Sequence, residues 1–189
     1  MQKVTFQNQF KMNVTGNLYM PKDMAPGERR AAIIVGHPMG AVKEQASVLY
    51  AQKLSFWGES EGQPRNAVLP DMYAEDFSAA VDFLGTRDYV EREQIGVLGV
   101  CGSGGFALSA AKIDPRMKAI ATVSMYDMGG FTRNLYGKSL TLEQRQQMAA
   151  EAAEQRYVEF MGGETKYTGG TPHEITEDSH PIAKEFYDF

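Results

Sequence analysis

IGVLGVCGSGG, residues 95–105, holds the only cysteine of a 189-residue chain, two positions before a serine. IGVLGV is a short apolar run of the kind buried on both faces of a parallel sheet. The glycine-rich turn after it opens a segment of small residues in which Phe106, Ala107, Ala110 and Ala111 are spaced to pack close to a sheet. A sharp turn from strand to helix is where a nucleophile can be presented, with small residues about two positions on either side because the backbone is crowded there. Two frames fit. With Cys101 as nucleophile the flanking residues are Gly99 and Ser103; with Ser103 they are Cys101 and Gly105. The strand ends at Val100, which places Cys101 at the first turn position, and a helix N-terminus favours a thiolate, intrinsically a far better nucleophile than an unassisted hydroxyl. Both arguments lean to Cys101, with Ser103 as the alternative. A third reading keeps the turn purely structural, with Cys101 as a small buried apolar residue and Ser103 as a helix N-cap.

Working outward, AAIIVG (31–36) is a second buried-strand run, and KAIATVSMY (118–126) is a third, ending at Asp127. Between the first two, Ala46, Leu49, Tyr50 and Leu54 recur at helical spacing, as do Tyr73, Phe77, Ala80, Val81 and Leu84. Strand, helix, strand, helix, strand implies an α/β fold with a mainly parallel, doubly wound sheet and helices on both faces. Upstream, Val4, Phe6, Met12, Val14, Leu18 and Met20 alternate with period two, which predicts an antiparallel meander at the N-terminal edge. Downstream, Thr141 and Gln144 form a capping-box pattern ahead of a helix whose apolar face is Ala149, Ala152, Ala153, Tyr157 and Phe160. The segment from Glu164 onward is rich in turn residues.

Composition narrows the function classes. A formal net charge of -5 argues against a broad nucleic-acid surface. The N-terminus lacks the apolar run of a signal peptide, no stretch approaches a membrane span, and a lone cysteine makes no internal disulfide, so a cytoplasmic, reducing compartment is expected. GVCGSGG lacks the Lys-Ser/Thr end of a triphosphate loop, and His173 and His180 lie seven apart with no cysteine partner, so neither a cofactor nor a metal is expected. Glu59 and Glu61 in GESEG read as a solvated loop between flexible glycines.

In acyl-transfer enzymes of this architecture, one oxyanion donor follows the nucleophile and the other follows the first helix-leading strand. These are the amides of Gly102 and Met39, because Pro38 has no N–H. His37 reads first as a prop for its loop and only secondarily as a general base.

HPMGAVKEQ, GESEGQP, AEDFSAAVDFLGTRDYV and IGVLGVCGSGGFALSAAKIDPRMKAIATVSMYDMG, in this order, resemble the α/β-hydrolase superfamily, and within it a dienelactone-hydrolase-like branch of bacterial hydrolases. The resemblance implies a hydrolase-like core over 1–130 and a helical cap-like segment and tail, of the same domain, over 131–189. It maps a nucleophilic cysteine onto Cys101, while Ser103 stands where the family motif has glycine. It implies a shortened chain that lacks an apolar strand between Leu54 and FWGESEG, and the order nucleophile, acid, histidine leaves Asp127 with His180 as triad partners, His173 being weaker. The expected function is hydrolysis of an ester, thioester or lactone through an acyl-Cys101 intermediate, with a small acyl substrate and no cofactor, nucleic acid or membrane. The alternative is an impaired hydrolase scaffold that binds a small ligand or forms a homo-oligomer through its unfinished sheet.

Overall fold

The computed structural model describes residues 1–38, 69–134 and 140–167, and divides the chain into two compact units, Met1–Thr132 and Arg133–Phe189. The first unit begins with two antiparallel strands, β1 (Gln2–Gln7) and β2 (Asn13–Leu18), in a register that places Val4 opposite Gly16 and Phe6 opposite Val14. Asn8 shapes the turn between them, its side-chain oxygen accepting from the amides of Phe10 and Met12, each at 3.0 Å. Among the described residues this hairpin is a separate two-stranded sheet, so the expected antiparallel edge does not join the larger one.

The larger sheet is built from β3 (Arg30–Gly36), β4 (Val90–Val100) and β5 (Ala119–Val123), all parallel and in that spatial order. Helix α1 (Pro70–Gly85) precedes β4, and helix α2 (Gly102–Ala111) follows it. The strand order advances in one direction, so two right-handed crossovers place both helices on the same face. Ile34, Ile95 and Val97 of the sheet meet Phe77, Val81 and Leu84 of α1 and Phe106, Ala107 and Ala110 of α2 there. Each of the large side chains contributes about 1.5–3 kcal/mol through burial. Pro70 suits the first turn of α1, where its missing N–H costs nothing. The stacked rings of Tyr73 and Phe106, 4.8 Å apart, pin one helix to the other. The helix expected at 46–54 lies outside the described residues, so the cover of the opposite face is not described.

The hairpin is fastened to α1. Phe6 stacks on Phe83 at 4.9 Å, the Gln9 amide donates to Glu75 at 2.9 Å, and the Asn8 side-chain amide donates to Asp76 at 3.0 Å. Burial pushes the Asp76 carboxyl up to about 6; the bond from Asn8 works against this and the charge of Glu75 adds to it. The folded chain therefore holds this proton to a higher pH than the unfolded one, whose carboxyl titrates near 3.8. The resulting stabilisation is complete below about pH 4 and lost as the pH rises through 6, a change on the order of 2 kcal/mol. Asp76→Asn keeps an acceptor for Asn8 without a charge, so it is expected to remove this slope from the urea midpoint and to raise the midpoint at pH 7. An unaltered slope between pH 4 and 6 would show that Asp76 is not its source.

After β5 the chain enters a short helix, α3 (Met128–Asn134). In the second unit, α4 (Leu142–Phe160) has both halves of the capping box, with the Gln144 amide donating to Thr141 Oγ1 at 3.2 Å and the Thr141 amide donating to Gln144 Oε1 at 2.9 Å. Its expected apolar face buries no side chain: Tyr157 is 64% and Phe160 93% exposed. No described helix is long and apolar enough to cross a membrane.

Candidate active site

Cys101 stands alone between β4, which ends at Val100, and α2, which begins at Gly102. Its backbone has φ 55° and ψ -120°, in the left-handed half of conformational space that a side chain disfavours. Such a conformation costs on the order of 1–3 kcal/mol and persists only where the surroundings impose it. Three backbone hydrogen bonds do so here. The Cys101 amide donates to the Val123 carbonyl at 2.9 Å, and the Cys101 carbonyl accepts from the amides of Gly104 and Tyr126, each at 3.0 Å.

Two glycines permit the close packing around this turn. A Cβ on Gly99 would lie 2.5 Å from the Ser103 carbonyl oxygen and 2.6 Å from Gly104 Cα, so β4 and α2 are in backbone contact. A Cβ on Gly36 would lie 2.6 Å from Phe77 Cζ and 2.7 Å from Ser103 Cβ, so the end of β3 lies directly against the start of α2.

Cys101 therefore occupies the apex of the turn, half-buried, and it takes the N-cap position that the structural reading of the sequence gave to Ser103. Ser103 lies inside the helix, and its hydroxyl donates to the backbone carbonyl of His37. Gly102 is buried at the first helical position, among the amides that a helix leaves without an internal acceptor. His37 Nδ1 lies 2.8 Å from the Pro38 carbonyl oxygen, which places the ring proton on Nδ1 and makes the ring a brace for the segment leaving β3. Asp127 accepts from the Gly130 amide at 2.9 Å, as a cap at the start of α3. Met39, His173 and His180, together with Glu59 and Glu61, lie outside the described residues.

The structure thus brings Cys101, Gly102, Ser103 and His37 to the C-terminal ends of β3 and β4. Among the described residues no three potential metal ligands cluster. A cavity of about 230 Å³ lies between the hairpin and the N-terminal part of β3, lined by residues such as Phe6, Leu18, Met20 and Phe83, and it includes none of the candidate residues. Two features of the site carry no local sequence signal: the tie from Ser103 to His37, and the approach of Gly36 to α2.

No family model matches the chain. It is 45% identical over 177 residues to the uncharacterized protein PA2218 of Pseudomonas aeruginosa, a match covering 87% of this chain and 47% of that protein. The crystal structure of PA2218 superimposes with a TM-score of 0.83 at 40% identity, over 99% of this chain and 61% of that one. The thiohydrolase aneE of Aspergillus aculeatus is 34% identical over 124 residues, 59% of this chain and 37% of its own length. The α/β hydrolase GrgF from Penicillium sp. sh18 shares the fold, with a TM-score of 0.72 at 23% identity over 98% of this chain and 64% of that one. The chain spans about half the length, or less, of the curated relatives described here.

Proposed function

Because the chain belongs by its fold to the α/β-hydrolase superfamily, we propose that it hydrolyses a carboxylic ester, thioester or lactone with Cys101 as the nucleophile. The observation that carries this reading is the backbone of Cys101, a non-glycine residue held at positive φ where β4 turns directly into α2. Strain of this kind at a strand-to-helix turn is retained where a side chain has to be presented. The name of the Aspergillus thiohydrolase supports including thioesters among the substrates.

Cys101 Sγ adds to the acyl carbonyl carbon, and the oxygen takes the electron pair and becomes an oxyanion beside the Gly102 amide; Met39 supplies the second donor. Collapse expels the alcohol or thiol, which leaves with a proton, and an acyl-Cys101 thioester remains. Water then adds to that thioester and gives up a proton, releasing the carboxylic acid and restoring the thiol. No group beyond water is consumed. The proton transfers belong to an acid–histidine pair, for which Asp127 and His180 keep the required chain order.

The test is to mix the full chain with p-nitrophenyl butyrate, quench in acid, and measure intact mass. A mass gain of one butyryl group that maps to the peptide containing Cys101 and disappears on further incubation is the expected result. A chain that shows neither this adduct nor a burst of nitrophenolate is not a cysteine hydrolase for this ester class.

A further inference from the structure

We propose that Ser103 is a positioning residue for acylation, acting through the carbonyl of His37 to hold the exit of β3 in place against the Cys101 turn. The inference rests on the reading of Cys101 as nucleophile and assigns Ser103 a role within that site other than attack.

Three observations converge on it. The Ser103 hydroxyl donates to the His37 carbonyl, so its proton is committed to the backbone of another strand's end, 66 residues away in sequence. The side chain also fills the space over Gly36: a Cβ there would lie 2.7 Å from Ser103 Cβ and 3.0 Å from its Oγ, so residue 36 has to be glycine for Ser103 to fit. Finally, the His37 ring donates to the carbonyl of Pro38 at 2.8 Å. Two successive carbonyls of the segment leaving β3 are thereby fixed, the first by Ser103 and the second by His37. The first of these peptides has proline as its nitrogen and offers no N–H, so its carbonyl is the group by which the segment can be held.

This matters for acylation because the expected oxyanion site draws its donors from two separate pieces of backbone, the start of α2 and the segment after β3. Donors act at full strength only when aligned beforehand with the position the oxyanion will occupy. Ser103 belongs to the same helical turn that presents Cys101, so its bond makes the nucleophile and the β3 exit one rigid unit.

The experiment compares two reactions of the same thiol in the full chain. Attack on p-nitrophenyl butyrate develops an oxyanion; alkylation by iodoacetamide is displacement at a methylene and develops none. Ser103→Ala is expected to slow acylation roughly 30-fold, below the 100- to 1,000-fold cost of removing an oxyanion donor outright. KM and the alkylation rate should stay within about two-fold of wild type. Acylation at the wild-type rate in Ser103→Ala, with Cys101→Ala unable to form the adduct, would overturn the positioning role and leave the nucleophile in place. Parallel loss of acylation and alkylation would also overturn it, since the turn itself would then be disturbed. An adduct that persists in Cys101→Ala and vanishes in Ser103→Ala would instead overturn the cysteine reading on which the inference rests.

Discussion

Replacing Cys101 with glycine is expected to eliminate ester turnover while leaving the fold at least as stable as the wild type. The two effects separate because the residue carries two independent burdens. Loss of a nucleophile that works within a catalytic unit lowers kcat by about 10⁴ to 10⁶. The backbone at φ 55°, by contrast, is a conformation that glycine adopts without steric penalty. Relief of strain worth about 1–3 kcal/mol is partly offset by the larger backbone entropy that glycine loses on folding, roughly 0.5–1 kcal/mol. The urea midpoint of Cys101→Gly should therefore match or exceed that of wild type, whereas Cys101→Ala should be equally inactive without that gain. Measuring kcat/KM and the urea midpoint on both variants checks the idea. Activity within tenfold of wild type in either variant would place the nucleophile elsewhere; a glycine variant much less stable than the alanine one would mean the turn is not strained.

That strain was legible in the sequence only as a position. The apolar run ending at Val100 and the small residues after it predict a strand–turn–helix with Cys101 first in the turn, and this is where the structure places it. Strands and helices with strong periodicity were readable for the same reason: α1 covers Tyr73 to Leu84, and the capping box of α4 forms through local contacts that the sequence itself contains. Tertiary consequences were less visible. Alternation in residues 4–20 predicts strands but contains nothing about which sheet they join, and the hairpin pairs with itself. The apolar spacing of α4 predicts a helix face, yet Tyr157 and Phe160 remain exposed, because burial depends on what packs against a helix and not on the helix alone. β4 begins at Val90, five residues before its apolar run, because Val90 pairs with Arg30 across an irregularity in the register that hydrophobicity cannot reveal. Within the site, the bond from Ser103 to His37 joins residues from distant segments, so no spacing rule could have found it.

Gly99→Ala is expected to be the most destabilising single-methyl change at this site. The added carbon would meet the Ser103 carbonyl oxygen at 2.5 Å, Gly104 Cα at 2.6 Å and the Gly104 nitrogen at 2.7 Å. All three are backbone atoms of α2, so no side chain can rotate away, and the helix has to move off the strand. Overpacking of a core costs about 1–3 kcal/mol when neighbours can adjust and more when they cannot, which puts this variant at about 3 kcal/mol or above. At about 2–4 °C per kcal/mol for a chain of this size, Tm should fall by roughly 10 °C. Gly104→Ala provides the internal comparison. Its added carbon would meet Met125 Cγ at 2.7 Å and Met125 Cβ at 3.0 Å, with the Gly99 carbonyl oxygen at 3.3 Å, so Met125 has to shift at its root while no backbone atom comes as close as at Gly99, and a smaller loss of about 1–2 kcal/mol is expected. The two variants add the same methyl group on opposite sides of the Cys101 turn, one against backbone atoms at 2.5–2.7 Å and the other chiefly against the Met125 side chain. Equal losses in thermal melts would show that α2 yields as easily as Met125. A large gap, with acylation falling alongside stability in Gly99→Ala, would show that the contact between strand and helix is what holds Cys101 at its apex, because displacing the start of α2 moves the nucleophile and loosens the bond from Ser103 to His37 together.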